Sequence, residues 1–345
     1  MVVALVGVVV AGTAAWMYRS RPARSEAIVS TFHYTCKTGE ADGILCLEST
    51  YQALTRAKGV QAAFKQLKLA YQQDPQVRSD CHVLAHVIGR TEADKVSDVD
   101  TAFAQGDNYC WSGYYHGVME SIVKRIGANN LAAQIPVICA NVKQKKPYSF
   151  DHYNCVHGLG HGVMDVTNSQ LFDSLKTCDR LTDDWERQSC YGGVFMENEM
   201  DEINLDHKTV FFKADDPMYP CTAVDEQYKN QCYLMQTSHA LRVANENYAQ
   251  VFGECGALET AYRNVCYQSL GRDVSGNTTS SVELTKQDCM LGQNREAQSN
   301  CIVGAVKDFI SYYHSDQQAG ALCISLDVTL RDLCQTTKQK YYATF

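Results

Sequence analysis

The spacing of the cysteines constrains this chain more than any other feature. Sixteen of them stand at 36, 46, 81, 110, 139, 155, 178, 190, 221, 232, 255, 266, 289, 301, 323 and 334. From Cys178 onward they fall into close pairs with ten or eleven residues between the members. Cys221, Cys255, Cys289 and Cys323 open the last four pairs, a step of 34 residues each time. A fixed period of that size marks a stacked array of supersecondary units. Without strand-like alternation, a 34-residue unit accommodates two helices and two turns.

The segment Val282–Tyr313 reads as one such unit. A first helix carries Cys289, Gly292-Gln293-Asn294 forms a turn, and Glu296 to Tyr313 forms a second helix. Cys301, Ile302, Ala305, Phe309 and Tyr312 recur there at helical spacing. A disulfide needs Cα atoms roughly 4.4–6.8 Å apart. Facing positions of an antiparallel hairpin meet that condition, whereas eleven residues along one straight helix span about 16 Å. The spacing therefore predicts both the hairpin and the bond.

Extended backward, the same logic pairs Cys139 with Cys155 across Lys145-Lys146-Pro147, and Cys36 with Cys46 around Gly39 and Gly43. Cys81 and Cys110 then bridge one another. The expected set is Cys36–Cys46, Cys81–Cys110, Cys139–Cys155, Cys178–Cys190, Cys221–Cys232, Cys255–Cys266, Cys289–Cys301 and Cys323–Cys334, with no free thiol. Each closure contributes roughly 2–4 kcal/mol, mainly by restricting the unfolded chain. Thiolate metal sites are the competing use of cysteine, but no C-x2-C pair occurs.

The predicted fold is all-α: a solenoid of disulfide-stapled antiparallel helix hairpins with a period near 34 residues, after an N-terminal hydrophobic segment. Residues 1–24 form a signal anchor or signal peptide with a basic flank. Residues 25–345 form one helical-repeat domain, with a His-rich half at about 75–205 and His-poor repeats at about 206–345. The uncharged run VVALVGVVVAGTAAWM precedes Arg19, Arg21 and Arg24. The positive-inside rule would hold the body in the cytoplasm. Many paired cysteines instead require an oxidising compartment. The regular cysteine spacing decides for an extracytoplasmic body (periplasmic, luminal or at the cell surface), anchored or secreted. The membrane is then a partner of the N-terminal segment. With 39 acidic against 31 basic residues, the chain lacks the charge of a nucleic-acid binder.

Segments starting at the second cysteine of each unit align as CWSGYYHGVME from Cys110 and CVHGLGHGVMD from Cys155. CYGGVFMENEM follows from Cys190, and CHVLAHVIGRT from Cys81 is related. Gly113, Gly158, Gly193 and Gly304 recur three residues after the cysteine and read as close-packing positions. Six of ten histidines lie between His82 and His161. His82/His86 and His157/His161 are four apart, as are His116/Glu120 and His161/Asp165, so each pair shares a helix face. His116 and His161 hold the same register. Adjacent units would therefore present His82, His86, His116, His157 and His161 together on one concave face. The glycines after His116, His157 and His161 leave room for a ligand or a neighbouring backbone.

Imidazoles with carboxylates are a ligand set for Zn, Cu or Fe. In this reading the five histidines are metal ligands, and Glu120 and Asp165 are ligands or general bases. Glu197 and Glu199 stand at the rim, and His152 is a helix cap or outer ligand. His207, His239 and His314 are structural. No H-E-x-x-H, G-x-S-x-G, Walker A, dinucleotide fingerprint or C-x-x-C-H occurs, which excludes the nucleotide and covalent-haem cofactors these motifs hold. The sequence thus points to a metal-binding protein or metalloenzyme. The competing readings are a non-catalytic solenoid scaffold for a peptide or protein partner on its concave face, and a pH-sensing histidine surface.

Overall fold

The computed structural model describes residues 36, 43–96, 98–203, 208–278 and 281–344. The predicted anchor or signal segment at 1–24, and His207, lie outside the described residues. Among those residues 75% are helical and no strand forms. None of the described helices is long and apolar enough to cross a membrane.

Helices of the N-terminal part are α1 (Gly43–Lys58), α2 (Val60–Gln73), α3 (Pro75–Ser79), α4 (Cys81–Ala93), α5 (Val99–Phe103), α6 (Gly113–Ile126), α7 (Ala128–Gln134) and α8 (Ala140–Lys145). The middle contributes α9 (Phe150–Val166), α10 (Leu171–Cys178), α11 (Asp184–Ile203), α12 (Glu226–Met235) and α13 (Thr237–Val243). The C-terminal part holds α14 (Tyr248–Ala257), α15 (Thr260–Asn277), α16 (Val282–Cys289), α17 (Arg295–Tyr313), α18 (Gln317–Ser325) and α19 (Val328–Tyr342). Local chemistry sets many of the boundaries. Ser149, Asn247, Ser281, Asn294 and Asp327 cap α9, α14, α16, α17 and α19 through their side chains. Gly59 and Gly127, at φ 83° and 73°, make the sharp turns from α1 to α2 and from α6 to α7.

All eight predicted cysteine pairs stand at disulfide distance, with Cα separations of 5.4–5.9 Å. No free cysteine remains. Several staple a short helix to the longer one after it: α10 to α11, α14 to α15, α16 to α17 and α18 to α19. The longer helices then pack in chain order, α4 on α6, α6 on α9, α9 on α11, α11 on α12, α12 on α15, α15 on α17 and α17 on α19. Cys36–Phe345 make one compact unit.

Several of these contacts are unusually close. A Cβ on Gly117 would overlap the backbone carbonyl of His86, and one on Gly89 would overlap that of Tyr114. The same reciprocal arrangement joins α9 to α11 through Gly160 and Gly193, and α15 to α17 through Gly271 and Gly304. The space beside the histidine rings is therefore taken by neighbouring helices. Gly117 meets the α4 backbone, Gly158 meets Met119, and Gly162 meets Val123.

Nearest-neighbour stacking alone does not describe the array. The Trp111 indole N–H donates to Asp308 Oδ1 at 2.7 Å, across 197 residues of chain. The Tyr312 ring centroid lies 4.7, 5.8 and 5.9 Å from those of Trp111, Tyr109 and Tyr71. A one-dimensional solenoid would hold these positions apart. Here α17 returns onto the segment before α6. That segment has three successive non-glycine residues at positive φ: Cys110, Trp111 and Ser112 at 60°, 53° and 61°. Left-handed backbone costs roughly 1–2 kcal/mol per such residue, so tertiary contacts must hold it. The Cys81 disulfide and the Trp111–Asp308 bond are two of them.

Two outcomes are expected. Gly117→Ala or Gly193→Ala should lower unfolding stability by at least about 1–3 kcal/mol through overpacking. Gly276→Ala, where a Cβ meets nothing within 4 Å, should be neutral or stabilising. Equal effects at the three positions in denaturant melts would refute the close-contact reading. Burial, partly offset by bonds from Ser275 and Trp111, pushes the Asp308 carboxyl up to about 6. An acid with a raised folded pKa loses stability as pH climbs from about 4 to about 6. Asp308→Asn should therefore gain on the wild type over that range, by a total on the order of 3 kcal/mol. A difference independent of pH would contradict this.

Candidate metal centre

Four helices build the site. α4 carries His82, His86 and Arg90 at successive four-residue steps, α6 carries His116 and Glu120, α9 carries His157 and His161, and α11 carries Glu197. The glycine crossings lie at the site itself, because Gly117 touches the His86 carbonyl and Gly193 touches that of His157. The five imidazoles converge. His116 stacks on His161 with ring centroids 4.6 Å apart and planes at 16°. It lies 4.9 Å from His157, 5.3 Å from His82 and 5.4 Å from His86. His86, His116, His157 and His161 are at most 3% exposed, and His82 is half-buried at the edge. The cluster is therefore inside the protein, and the predicted open concave face of histidines is not formed.

Hydrogen bonds fix which nitrogens remain free. The Cys110 carbonyl can only accept, so His82 Nδ1, 2.8 Å away, carries a proton. His86 Nδ1 donates to Glu120 Oε1 at 2.5 Å, and Arg90 Nη1 donates to Glu120 Oε2 at 2.6 Å. Burial alone would raise the Glu120 carboxyl, but His86 and Arg90 together hold it well below the usual range. The two committed rings then face one another through Nε2 at 3.0 Å. His161 Nδ1 bonds Glu197 Oε2 at 2.5 Å. His161 Nε2 and His116 Nδ1 are buried with no protein hydrogen-bond partner. His157 Nδ1 meets the Tyr153 hydroxyl at 3.2 Å, and its Nε2 meets Met196 Sδ at 3.4 Å.

Burial disfavours the charged form of four of the rings, His82, His116, His157 and His161. Burial, then the charge of His86, push His82 down to about 3, and burial pushes His157 down to about 4. Burial and the surrounding histidines hold His116 and His161 well below the usual range. Glu197 moves the other way, raised by burial and by Glu120 and Asp201. Four rings held below their ordinary range argue against the pH-sensing reading.

Donor atoms gather in three groups, each within 4.8 Å: His82–His86–His116, His116–His157–His161, and His86–Glu120–His161–Glu197. All five predicted histidines and Glu120 fall in these groups. Asp165 does not: it lies against Lys124 Nζ at 3.5 Å, and Glu197 from the next helix meets His161 instead. Glu199 pairs with Arg242 at 2.6 Å, outside the groups. His152 accepts from Tyr148 N at 3.1 Å and donates to Glu186 at 3.0 Å, apart from the cluster. His239 pairs with Glu202 and stacks on Phe212, and His314 caps α17. Sequence reading missed Arg90, whose signal was its place four residues beyond His86. It also missed the Cys110 carbonyl, which no residue type announces.

Compared with known families, curated proteins and solved structures, the chain finds no match in any of the three.

His116→Phe preserves a buried ring and removes one neutral imidazole. In the wild type, a histidine with a depressed folded pKa costs stability as pH falls below about 6.5, because only the unfolded state takes the proton. In metal-free protein the variant should gain on the wild type by about 1.4 kcal/mol per pH unit below that point. Parallel stability curves from pH 7 to 5 would mean that His116 titrates as if exposed.

Proposed function

We propose that this chain is an extracytoplasmic, disulfide-stapled helical-repeat protein that binds a transition metal through its buried histidines. The N-terminal hydrophobic segment would direct it to, or hold it at, a membrane. The 34-residue spacing of the cysteines and their complete pairing support the repeat and the compartment.

One observation carries the metal reading. His82 and His86 each give their Nδ1 proton to an oxygen, and they face one another through Nε2 at 3.0 Å. Two lone pairs at that distance repel unless a cation sits between them. Two nitrogens bound to one Zn²⁺ at roughly 2.0–2.1 Å stand about 3.3 Å apart at the tetrahedral angle. In metal-free protein a proton on one ring fills the gap, with Glu120 balancing it, and metal binding releases that proton. Imidazole donors without thiolates favour Zn, Cu or Fe. Glu120 and Glu197 act as the carboxylates behind the ligating rings, fixing His86 and His161. The scaffold alternative draws no support from the histidines, since buried rings offer a docking partner nothing.

The test is elemental analysis of untagged, disulfide-intact protein. Bound Zn, Cu or Fe is expected, and His116→Ala with His161→Ala should remove it while far-UV circular dichroism stays unchanged. Free metal at a hundred times Kd should add about 2.7 kcal/mol of stability. A folded wild-type protein that is metal-free and takes up neither Zn²⁺ nor Cu²⁺ would refute the proposal.

A further inference from the structure

We infer that the cluster is built for two metal ions, one on each side of the His116 ring, with that ring shared between them. This rests on the metal-binding reading and extends it to the number of ions and how they are joined. α4 supplies one pair of imidazoles, His82 and His86, with ring centroids 4.5 Å apart. α9 supplies a second pair, His157 and His161, at 5.1 Å. α6 lies between them and supplies a single ring. His116 is 5.3 and 5.4 Å from the first pair and 4.9 and 4.6 Å from the second. The two all-histidine groups of donor atoms have only His116 in common.

Five imidazoles exceed the three or four protein ligands that a tetrahedral ion takes. The outer groups divide in the same way. Glu120 fixes His86 on one side, and Glu197 fixes His161 on the other. Each half thus has two histidines of its own and its own carboxylate, the usual support behind a metal-bound imidazole. The third donor group, which crosses between the halves, contains those same two carboxylate–histidine pairs. Its two carboxylates, Glu120 and Glu197, act as supports behind His86 and His161.

A neutral imidazole has one lone pair and one N–H. For His116 to serve both halves, its N–H bond breaks, the proton passes to the buffer, and a metal–nitrogen bond forms at each ring nitrogen. No electron is transferred and no redox partner is needed.

The experiment is a titration of chelator-treated, disulfide-intact protein with Cu²⁺, read by elemental analysis and by electron paramagnetic resonance. Two ions per chain are expected. At full loading the integrated spin signal should fall well below two copper equivalents, because an imidazolate bridge couples the two spins. His82→Ala with His86→Ala, or His157→Ala with His161→Ala, should each reduce uptake from two ions to one and restore a full, uncoupled signal. A maximum of one ion per wild-type chain would overturn the two-ion inference and leave the metal-binding reading standing. Two ions with independent spins would overturn the shared His116. No copper and no zinc uptake would refute both.

Discussion

Two helices bring their backbones into contact only where no Cβ stands between them, and this protein places such contacts at its histidines. Gly117 rests on the carbonyl of His86, and Gly193 rests on that of His157. Side chains one residue or one turn from a crossing point have no freedom to move apart. Close crossings of α4 with α6 and of α9 with α11 therefore do more than fill space. They set the separation of imidazoles on neighbouring helices, so that their donor atoms gather within 4.8 Å of one another. Glycine within a helix costs about 0.5–1 kcal/mol against alanine, and that loss is spread over several helices here.

The resulting interior is electrostatically unusual. Four buried histidines and the half-buried His82 share a small volume with two carboxylates and the edge of Arg90. Burial and mutual repulsion oppose charging His82, His116, His157 and His161, while the carboxylates diverge. Glu120 is stabilised as an anion by His86 and Arg90, whereas Glu197 is driven toward its neutral form by burial and by Glu120. An apolar core would be more stable without these groups, since buried polar sets seldom outperform well-packed hydrocarbon. Their concentration in one place is therefore an argument for a ligand.

Much of this was legible in the residues, for a physical reason. Disulfide partners and i,i+4 histidines depend on local geometry, which repeats wherever a helix hairpin repeats. The unit Val282–Tyr313 accordingly matches α16 and α17 almost to the residue. The shared register of His116 and His161 likewise corresponds to two rings that stack on one another. Contacts between distant elements left no such trace. Asp165 is four residues from His161, yet the Nδ1 atom of that ring points across to Glu197 on α11. The left-handed turn at Cys110–Ser112 contains no glycine, so nothing in its composition announces it. The bond from Trp111 to Asp308 spans most of the chain and has no periodic signature.

That last bond gives the molecule two scales of connectivity. Every disulfide closes a loop of 10 to 29 residues, so each can form while the rest of the chain is still extended. The histidine helices follow one another closely in sequence, and they can assemble as a local nucleus of low contact order. The Trp111–Asp308 clasp instead pays the entropy of bringing together groups 197 residues apart. Late formation of that clasp would turn a row of separately stapled hairpins into one cooperative unit. Terminal hairpins that would otherwise fray independently would then melt together with the centre.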